Sequence, residues 1–408
     1  MGQLEFVTYR IKQLAPEHPE WKDQQPYKAV LEGDKNFLVN DLTHNHGKAL
    51  ENKKMKTSKL MKLLLAGLMA TSLMSTAWAK QVHVDKTITS ISTSKAIPVT
   101  WKNFVRAESD KMFKSYVDMG AFGKFLHIPK PTPIDQQKVV RMNRDTIYSF
   151  AVFDLTTPVT ITKPDTGKRF QSMQVINEDQ YTPMVVYKPG KYTLTQEKMG
   201  TRYVFVVVRT LVDAEDPADV KKVNGIQQQT KVEQKSVGKF EIPNWDTASQ
   251  DKIRAALKVL SATMDNYDGA FGSKDEVDPV KFLFASATGW GGNPQKDATY
   301  AGVTPEKNDG KTAYTLNVKD VPVDGFWSIS LYNGEGYFQK NQYNAYSVNN
   351  ITGKKNKDGS MTIHFGGDPK QPNFLPIMDG WNYLIRLYQP RKEIMDGSWT
   401  FPKAQAVK

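Results

Sequence analysis

The chain has 408 residues, of which 39% are apolar and 11% aromatic, and it carries a formal net charge of +12. This length suits two or three domains with sizeable cores, and the composition is globular and excludes an intrinsically disordered chain. Cysteine is absent, which excludes a disulfide framework, thiol chemistry and cysteine-based metal sites.

Residues 55–79 have the pattern of a secretory signal peptide with a basic head, an apolar run and a small-residue cleavage site. The apolar run from Leu63 to Met74 is too short to span a bilayer, so no membrane span is expected after cleavage. We therefore expect a periplasmic or secreted protein that begins at Lys80. The basic head is formed by Lys56, Lys59 and Lys62, and the cleavage motif by Ala77, Trp78 and Ala79.

Residues 1–54 precede this signal, although a signal peptide does not normally work from the middle of a chain. They are polar and show no sustained period, which indicates a non-native or disordered lead whose start codon is assigned too far upstream. Removing residues 1–79 takes away 11 of the 55 basic and 8 of the 43 acidic residues and leaves a net charge of +9. The densest remaining basic run, 354–357, ends in the turn dipeptide Asp358-Gly359, so no nucleic-acid partner is expected.

Residues 80–140 predict an N-terminal helix followed by a linker. Thr100 is a suitable N-cap, and apolar residues recur at helical spacing from Trp101 to Met119. Residues 141–212 then predict a first antiparallel β-sandwich, because short β-rich runs alternate with turns. Its six predicted strands are Phe150–Leu155, Val159–Thr162, Phe170–Ile176, Met184–Tyr187, Tyr192–Thr195 and Tyr203–Leu211.

Residues 213–298 predict a helical segment, and the β pattern returns in residues 299–408, which predict a second β-sandwich. The helices are predicted at 216–229, 249–264 and 278–287. The strands of the second sandwich are predicted at Ala313–Val318, Phe326–Tyr332, Tyr343–Val348, Met361–Phe365 and Trp381–Tyr388.

The two β regions share an internal sequence repeat of four residues at offsets 0, 2, 7 and 11. In both copies a Phe and a Ser share one face of a strand, and a turn with Asn and then Tyr follows. The sequence repeat predicts equivalent strand-and-turn units in the two sandwiches. The copies are Phe170, Ser172, Asn177 and Tyr181, and Phe326, Ser328, Asn333 and Tyr337.

Several spaced motifs resemble a pair of bacterial domain families. Residues 139–155, with Asn143-Arg144-Asp145-Thr146-Ile147-Tyr148 at their centre, resemble the core of domain of unknown function 1254. Residues 326–333, 373–376 and 386–390 resemble its usual C-terminal companion, domain of unknown function 1214. The resemblance implies a mainly β protein with helical segments, built from an immunoglobulin-like β-sandwich and a C-terminal jelly-roll-like β-sandwich. The family pattern usually has Trp at the position of Phe374, and no settled activity comes with the resemblance.

Common catalytic and cofactor motifs are absent. The chain lacks a Gly-x-Ser-x-Gly elbow, and the expected mature part has only His83, His127 and His364 as histidine bases, so a Ser-His-Asp enzyme is not predicted. There is no His-x-x-x-His motif, EF-hand loop or P-loop, because Thr166-Gly167-Lys168 lacks the leading glycine. We predict no metal site and no cofactor.

The first candidate site is the polar cluster before the first long strand, where Asn143, Arg144, Asp145 and Tyr148 lie close together in the sequence. Asp145, or Glu108 on the predicted helix, could act as a general acid or base, with Asn143 and Tyr148 orienting a substrate. The structural alternative is an ion-pair and hydrogen-bond network that ties the helix to the sheet.

The second candidate site is an aromatic stretch interleaved with amide side chains in the second sandwich. Aromatic faces beside amides suit a neutral polyol or sugar, although alternate strand positions must also fill a sandwich core. The loop 337–346 is the better candidate for ligand contact. The candidate ligand-binding residues here are Trp327, Tyr332, Asn333, Tyr337 and Tyr343.

Three functions remain open on the sequence. The first is binding of a small neutral or weakly anionic molecule, such as a carbohydrate-like one, in a cleft between the β domains. The second is a hydrolase-type enzyme that uses Asp145 or Glu108, which two carboxyl groups converging in one pocket would favour. The third is a structural or assembly protein that forms homo-oligomers, which a large flat apolar patch would favour.

Overall fold

A computed structural model describes residues 95–137 and 140–407. The predicted lead at 1–54 and signal peptide at 55–79 lie outside these residues. The described part is mainly β, with sixteen strands in four sheets and a few helices, which confirms the predicted fold class. None of its helices combines the length and apolarity that crossing a membrane would require.

The first β domain contains two sheets that pack face to face. Five strands pair in the order β1-β2-β7-β4-β5, and three pair in the order β6-β3-β8. Apolar side chains from both sheets, including Phe153, Ile161 and Val206, form the core between them, as alternating strand residues require. The strands are β1 (Leu126–His127), β2 (Thr146–Asp154), β3 (Val159–Lys163), β4 (Gln171–Asn177), β5 (Met184–Val186), β6 (Gly190–Leu194), β7 (Tyr203–Leu211) and β8 (Lys231–Gln234).

The second β domain repeats this plan with sheets β9-β15-β11-β12 and β14-β13-β10-β16. Its core includes the fully buried Phe365, Trp381 and Tyr383, and it also takes in Trp327. The strands are β9 (Ala298–Val303), β10 (Tyr314–Val318), β11 (Trp327–Tyr332), β12 (Ser347–Asn349), β13 (Met361–Phe365), β14 (Phe374–Leu375), β15 (Asn382–Tyr388) and β16 (Gln405–Ala406).

Two of the six α-helices in the described residues lie in the segment that connects the two β domains, and a third covers one face of the five-stranded sheet. Helix α1 (Phe104–Asp118) packs Phe113 and Tyr116 on the outer face of the five-stranded sheet. The remaining helices are α2 (Gln196–Met199), α3 (Pro217–Gln228), α4 (Thr247–Ser261), α5 (Pro279–Thr288) and α6 (Lys392–Met395). Asp216, Asp246 and Asp278 cap α3, α4 and α5 by accepting backbone N–H groups, which explains why these helices begin close to the predicted positions.

The two β domains have the same strand topology. In chain order, β2 to β8 correspond to β9, β10, β11, β12, β13, β15 and β16, and each corresponding pair makes the same antiparallel ladder contacts. Strands β1 and β14 are additions to this common plan. The domains are therefore structural repeats of each other.

Hydrogen bonds outside the ladders repeat as well. Asn177 Oδ1 accepts the N–H groups of Asp179 and Tyr181, and Asn333 Oδ1 accepts those of Glu335 and Tyr337, at 2.9–3.1 Å in all four cases. This identical turn confirms the equivalence of the two strand-and-turn units that the sequence repeat predicts. The repeated register also makes Asp297 the counterpart of Asp145, because Val212 N–H donates to the Asp145 carbonyl and Gln389 N–H donates to that of Asp297.

Candidate functional site

The polar cluster before β2 is a turn that an asparagine side chain holds in place. Asn143 Oδ1 accepts the backbone N–H of Asp145 at 2.8 Å, which is the local bond that Asn favours in turns. Asn143 Nδ2 donates to the hydroxyl of Tyr388 in the second β domain at 2.9 Å. The polar cluster therefore lies in the seam between the two β domains.

Asp145 points from this turn onto the outer face of the second domain's sheet. Its side chain is only 2% exposed, and the Ser328 hydroxyl donates to Oδ2 at 2.6 Å. The other oxygen, Oδ1, is buried and accepts no hydrogen bond from the described residues. Burial raises the pKa of Asp145, while the Arg386 charge and the polar side chains of Ser328, Asn349 and Ser347 oppose this rise.

Arg386 lies on the same sheet face and is 3% exposed. It donates to Ser330 Oγ and Tyr332 Oη, both at 2.7 Å, and to the backbone carbonyls of Arg141 and Met142 at 2.8 and 3.3 Å. The guanidinium thus holds the turn that carries Asp145. This network ties the loop before β2 to the sheet β9-β15-β11-β12 of the second domain. The structural alternative drawn from the sequence instead predicts a network that ties α1 to a sheet.

Arg144 points away from Asp145 and takes part in an ion pair. Its guanidinium donates to Glu215 Oε1 at 2.8 Å and to the Thr132 carbonyl at 3.0 Å, and it lies 5.2 Å from the ring centre of Tyr346. The Asn344 amide donates to the second oxygen of Glu215. Glu215 therefore joins the loop after β7 to the loop before β12.

These groups form the wall of a pocket of about 290 Å³ between the two β domains. One wall comes from the first domain through the turn before β2 and the loop after β7, and the other comes from β12 and its neighbouring loops in the second domain. Most of the lining residues carry a hydroxyl, amide or carboxylate group. The lining residues are Arg144, Asp145, Val212, Asp213, Ala214, Glu215, Asn344, Ala345, Tyr346, Ser347, Val348, Asn349, Thr352, Gly353, Asn373 and Phe374.

The pocket is rich in hydrogen-bond acceptors and has a negative formal charge. Asp145, Asp213 and Glu215 line it together with one basic residue, Arg144, which is paired with Glu215. Such a lining suits ligands that donate hydrogen bonds, such as polyols. No group of three or more histidine and acidic side chains in the described part of the chain is arranged to hold a metal ion.

The aromatic candidates lie around the pocket without lining it. Trp327 points into the core of the second domain, where it packs edge-on against Phe401. Tyr332 is fully buried and its hydroxyl donates to the Met142 carbonyl, whereas Asn333 and Tyr337 form the repeated turn. Tyr343 is exposed and contacts the edge of Phe374, which does line the pocket. From the predicted loop 337–346, the pocket takes Asn344, Ala345 and Tyr346.

Among the polar candidates, Arg144 and Asp145 line the pocket, and Asn143, Tyr148 and Glu108 do not. Asn143 and Tyr148 stand behind the turn, with Asn143 Nδ2 donating to Tyr148 Oη at 3.4 Å. Glu108 on α1 accepts from Gln250 at 3.0 Å and forms an ion pair with Arg254, so its oxygens are occupied by structural partners. The structure does not bring Glu108 and Asp145 together.

A separate buried carboxylate, Asp110, lies on α1 close to Glu178. Asp110 is fully buried, Trp245 Nε1 donates to its Oδ2 at 2.7 Å, and Oδ1 accepts no hydrogen bond from the described residues. Burial raises the pKa of Asp110 to about 6, and the nearby Glu178 charge adds to this effect while Trp245 and Arg106 oppose it. Asp110 lies outside the pocket lining.

The sequence interpretation missed Asp213, Glu215, Asn349, Thr352 and Asn373 as pocket residues. Two of these residues could have been identified from the sequence, because Asp213 and Glu215 follow shortly after β7, the most apolar strand of the first domain. Polar residues at the end of a buried strand often lie at a site.

Comparisons with known proteins agree with the predicted domain pair. Residues 122–234 match the family described as "Protein of unknown function (DUF1254)", and residues 298–392 match "Protein of unknown function (DUF1214)". No curated protein matches the chain.

Two bacterial proteins are among the solved structures that match the chain. A crystal structure of a Vibrio parahaemolyticus protein has a TM-score of 0.58 at 17% identity, and the match covers 75% of this chain and 98% of that one. A putative uncharacterized protein from Burkholderia cenocepacia has a TM-score of 0.44 at 14% identity, with 76% and 87% covered. At these identities the first likeness supports the fold alone. From the two family matches and their order, the chain belongs to the proteins that carry a domain of unknown function 1254 followed by a domain of unknown function 1214.

Proposed function

We propose that the pocket between the β domains binds a small, neutral, hydroxyl-rich molecule of carbohydrate-like chemistry. The observation that carries this proposal is the Asp145 carboxylate in the pocket wall, where Ser328 donates to one oxygen and the other accepts no hydrogen bond from the part of the chain that the structure describes. A buried acceptor without a donor costs free energy, and a ligand hydroxyl would supply the donor. Pockets at domain interfaces commonly hold small molecules.

The charges in the pocket favour a neutral ligand over the weakly anionic one that the sequence leaves open. Asp145, Asp213 and Glu215 would repel an anion, and the charge of Arg144 is already paired with Glu215. The hydroxyl of Thr352 can both donate and accept, as sugar hydroxyls require, whereas the amides of Asn349 and Asn373 already take part in hydrogen bonds within the second domain.

Binding can be tested with the full chain and a panel of neutral monosaccharides, disaccharides and sugar alcohols, measured by saturation-transfer NMR and calorimetry. Thr352→Val removes one exposed pocket hydroxyl with little change in volume, so we expect a loss of affinity of about 3- to 10-fold, as for one hydrogen bond. Thr304→Val changes an exposed threonine outside the pocket and should bind like the wild type. The proposal fails if no compound of the panel binds, or if both variants lose affinity equally.

A second candidate function is acid catalysis by Asp145, because several carboxylates line one pocket and burial raises the pKa of Asp145. A carboxyl group that stays protonated at higher pH can donate a proton to a leaving group. In the same panel, Asp145→Asn separates the alternatives. Hydrolysis that is lost while binding is kept supports catalysis, lost binding at an unchanged melting temperature supports a ligand contact, and a lowered melting temperature with intact binding supports a structural latch.

We also propose that the protein is exported and that its mature form begins at Lys80. The basic, apolar and small-residue pattern of 55–79 supports this. N-terminal sequencing of protein recovered from the periplasm or the medium is expected to begin at Lys80. Recovery of a chain that begins at Met1 would refute the export proposal without affecting the pocket.

A further inference from the structure

The structural repeat gives Arg386 a counterpart in the first β domain, Arg209. In β4 and β7, Ser172 pairs with Arg209, and in β11 and β15, Ser328 pairs with Arg386. On their other sides, Arg209 pairs with Tyr148 and Arg386 with Tyr300. Both arginines therefore occupy the same position on the outer face of equivalent sheets, and both are more than nine-tenths buried.

The two guanidinium groups differ in what they bind. Arg386 donates to two side chains and to the two carbonyls of the turn before β2. Arg209, which is 8% exposed, donates from Nη1 to Gln174 Oε1 at 2.8 Å, and its Nε and Nη2 donate to no acceptor in the described residues. Neither nitrogen is among the fully buried unpaired atoms of the described residues, so both are open to an acceptor from outside the chain.

Nε and Nη2 form one edge of the planar guanidinium, and that edge matches a carboxylate. The described residues use this edge in three other places, one of which is the pairing of Arg254 with Glu108. Nε and Nη2 of Arg106 both donate to the Asp179 carboxylate, and those of Arg202 both donate to the Asp154 carboxylate. The free edge of Arg209 therefore has the chemistry of a carboxylate-binding group, and the ring of Tyr148 lies 5.8 Å from its guanidinium carbon.

A second unused group lies near Arg209. Asp297, the counterpart of Asp145, is 7% exposed, and Tyr187 Oη donates to its Oδ1 at 2.7 Å. Its Oδ2 is buried and accepts no hydrogen bond from the described residues. The Arg209 charge acts on Asp297, although the two groups do not form an ion pair. An acceptor without a donor thus lies near a donor edge without an acceptor.

We propose that Arg209 and Asp297 form a second site in the seam that binds a small hydroxycarboxylate. The ligand carboxylate would accept from Nε and Nη2 of Arg209, and its hydroxyl would donate to Oδ2 of Asp297. This site lies on the first domain's sheet and shares no residue with the pocket of Asp145. It is therefore independent of the neutral ligand proposed there.

The test is calorimetry and ligand-observed NMR on the full chain, with glycolate and acetate as probes and chloride at matched ionic strength as the blank. We expect both acids to bind, glycolate about 3- to 10-fold more tightly for its added hydrogen bond. Arg209→Gln should abolish binding of both acids, and Asp297→Asn should remove most of the advantage of glycolate. Thr352→Val should bind both like the wild type, which separates this site from the neutral-ligand pocket.

Two further variants keep the result interpretable. Arg391→Gln changes an arginine that is 54% exposed and pairs with Asp324, so it controls for general attraction of anions and should have no effect. If Arg209→Gln fails to fold, Arg209→Lys keeps the charge without the planar edge and should weaken binding at least 10-fold. Absence of acid binding to the wild type, or binding to Arg209→Lys at wild-type affinity, overturns the proposal. Equal affinity for glycolate and acetate overturns the role of Asp297.

Discussion

Arg386→Met is expected to lower the free energy of unfolding by about 3–5 kcal/mol, the range for removing one member of a buried charged network. The substitution leaves the Arg141 carbonyl without its donor and removes the bonds to Ser330 and Tyr332, whereas the Met142 carbonyl keeps the Tyr332 hydroxyl as a donor. It also removes the positive charge that opposes the rise in the pKa of Asp145 caused by burial. Chemical denaturation of the full chain at neutral pH measures the effect.

Two matched arginines make this result specific. Arg391→Gln, at an exposed position, should change stability by less than about 1 kcal/mol, as exposed ion pairs do. Arg209→Met should cost much less than Arg386→Met, because among residues 95–137 and 140–407 the Arg209 guanidinium has one acceptor, Gln174. If Arg386→Met unfolds at the same denaturant concentration as Arg391→Gln, Arg386 does not hold the seam.

Much of the fold could be predicted because it depends on local patterns. Val204–Val208 is apolar and β-branched enough to predict a central strand, and Tyr203–Leu211 is observed as β7. Pro217 and Pro279 follow capping aspartates, and the helices α3 and α5 begin there. These signals act over a few residues, so a single sequence is sufficient.

Elements without such signals were missed. Strand β9 contains Ala298, Ala301 and Gly302, which have low β propensity, and it forms because it pairs with β15. Strand β8 carries Lys231 and Glu233, which face solvent at a sheet edge, and it lies in the segment predicted as helical. In both cases tertiary pairing decided the structure.

The site was predictable in part for the same reason. A turn held by Asn143 can be predicted locally, and the sequence identified Asp145 within it. The partners of Asp145 come from β11 and β15, far along the chain, and no periodicity indicates that Ser328 meets Asp145. Arg209 and Arg386 did leave a signal, since each is a single charge inside an apolar strand, and such a residue needs a specific buried partner.

Asp110→Asn is expected to stabilise the protein at pH 8 by up to about 3 kcal/mol, the equivalent of a shift of about two pKa units. Burial raises the pKa of Asp110 from 3.8 to about 6, so the folded state favours the protonated carboxyl group. The native state therefore binds more protons than the unfolded state between these values. The contribution of Asp110 is fully present below pH 3.8 and is lost as pH rises through about 6.

Asparagine is neutral throughout this range and can still accept the Trp245 N–H. The stability difference between Asp110→Asn and the wild type should therefore be small at pH 4, grow between pH 4 and 7, and become constant above pH 7, as measured by denaturation at each pH. Asp118→Asn, on the exposed face of the same helix and paired with Lys114, should show no such growth. A constant difference across the pH range would mean that Asp110 titrates normally in the folded protein. Glu178 also has a raised pKa and its charge acts on Asp110, so the pH-dependent difference includes the coupling between these two carboxyl groups.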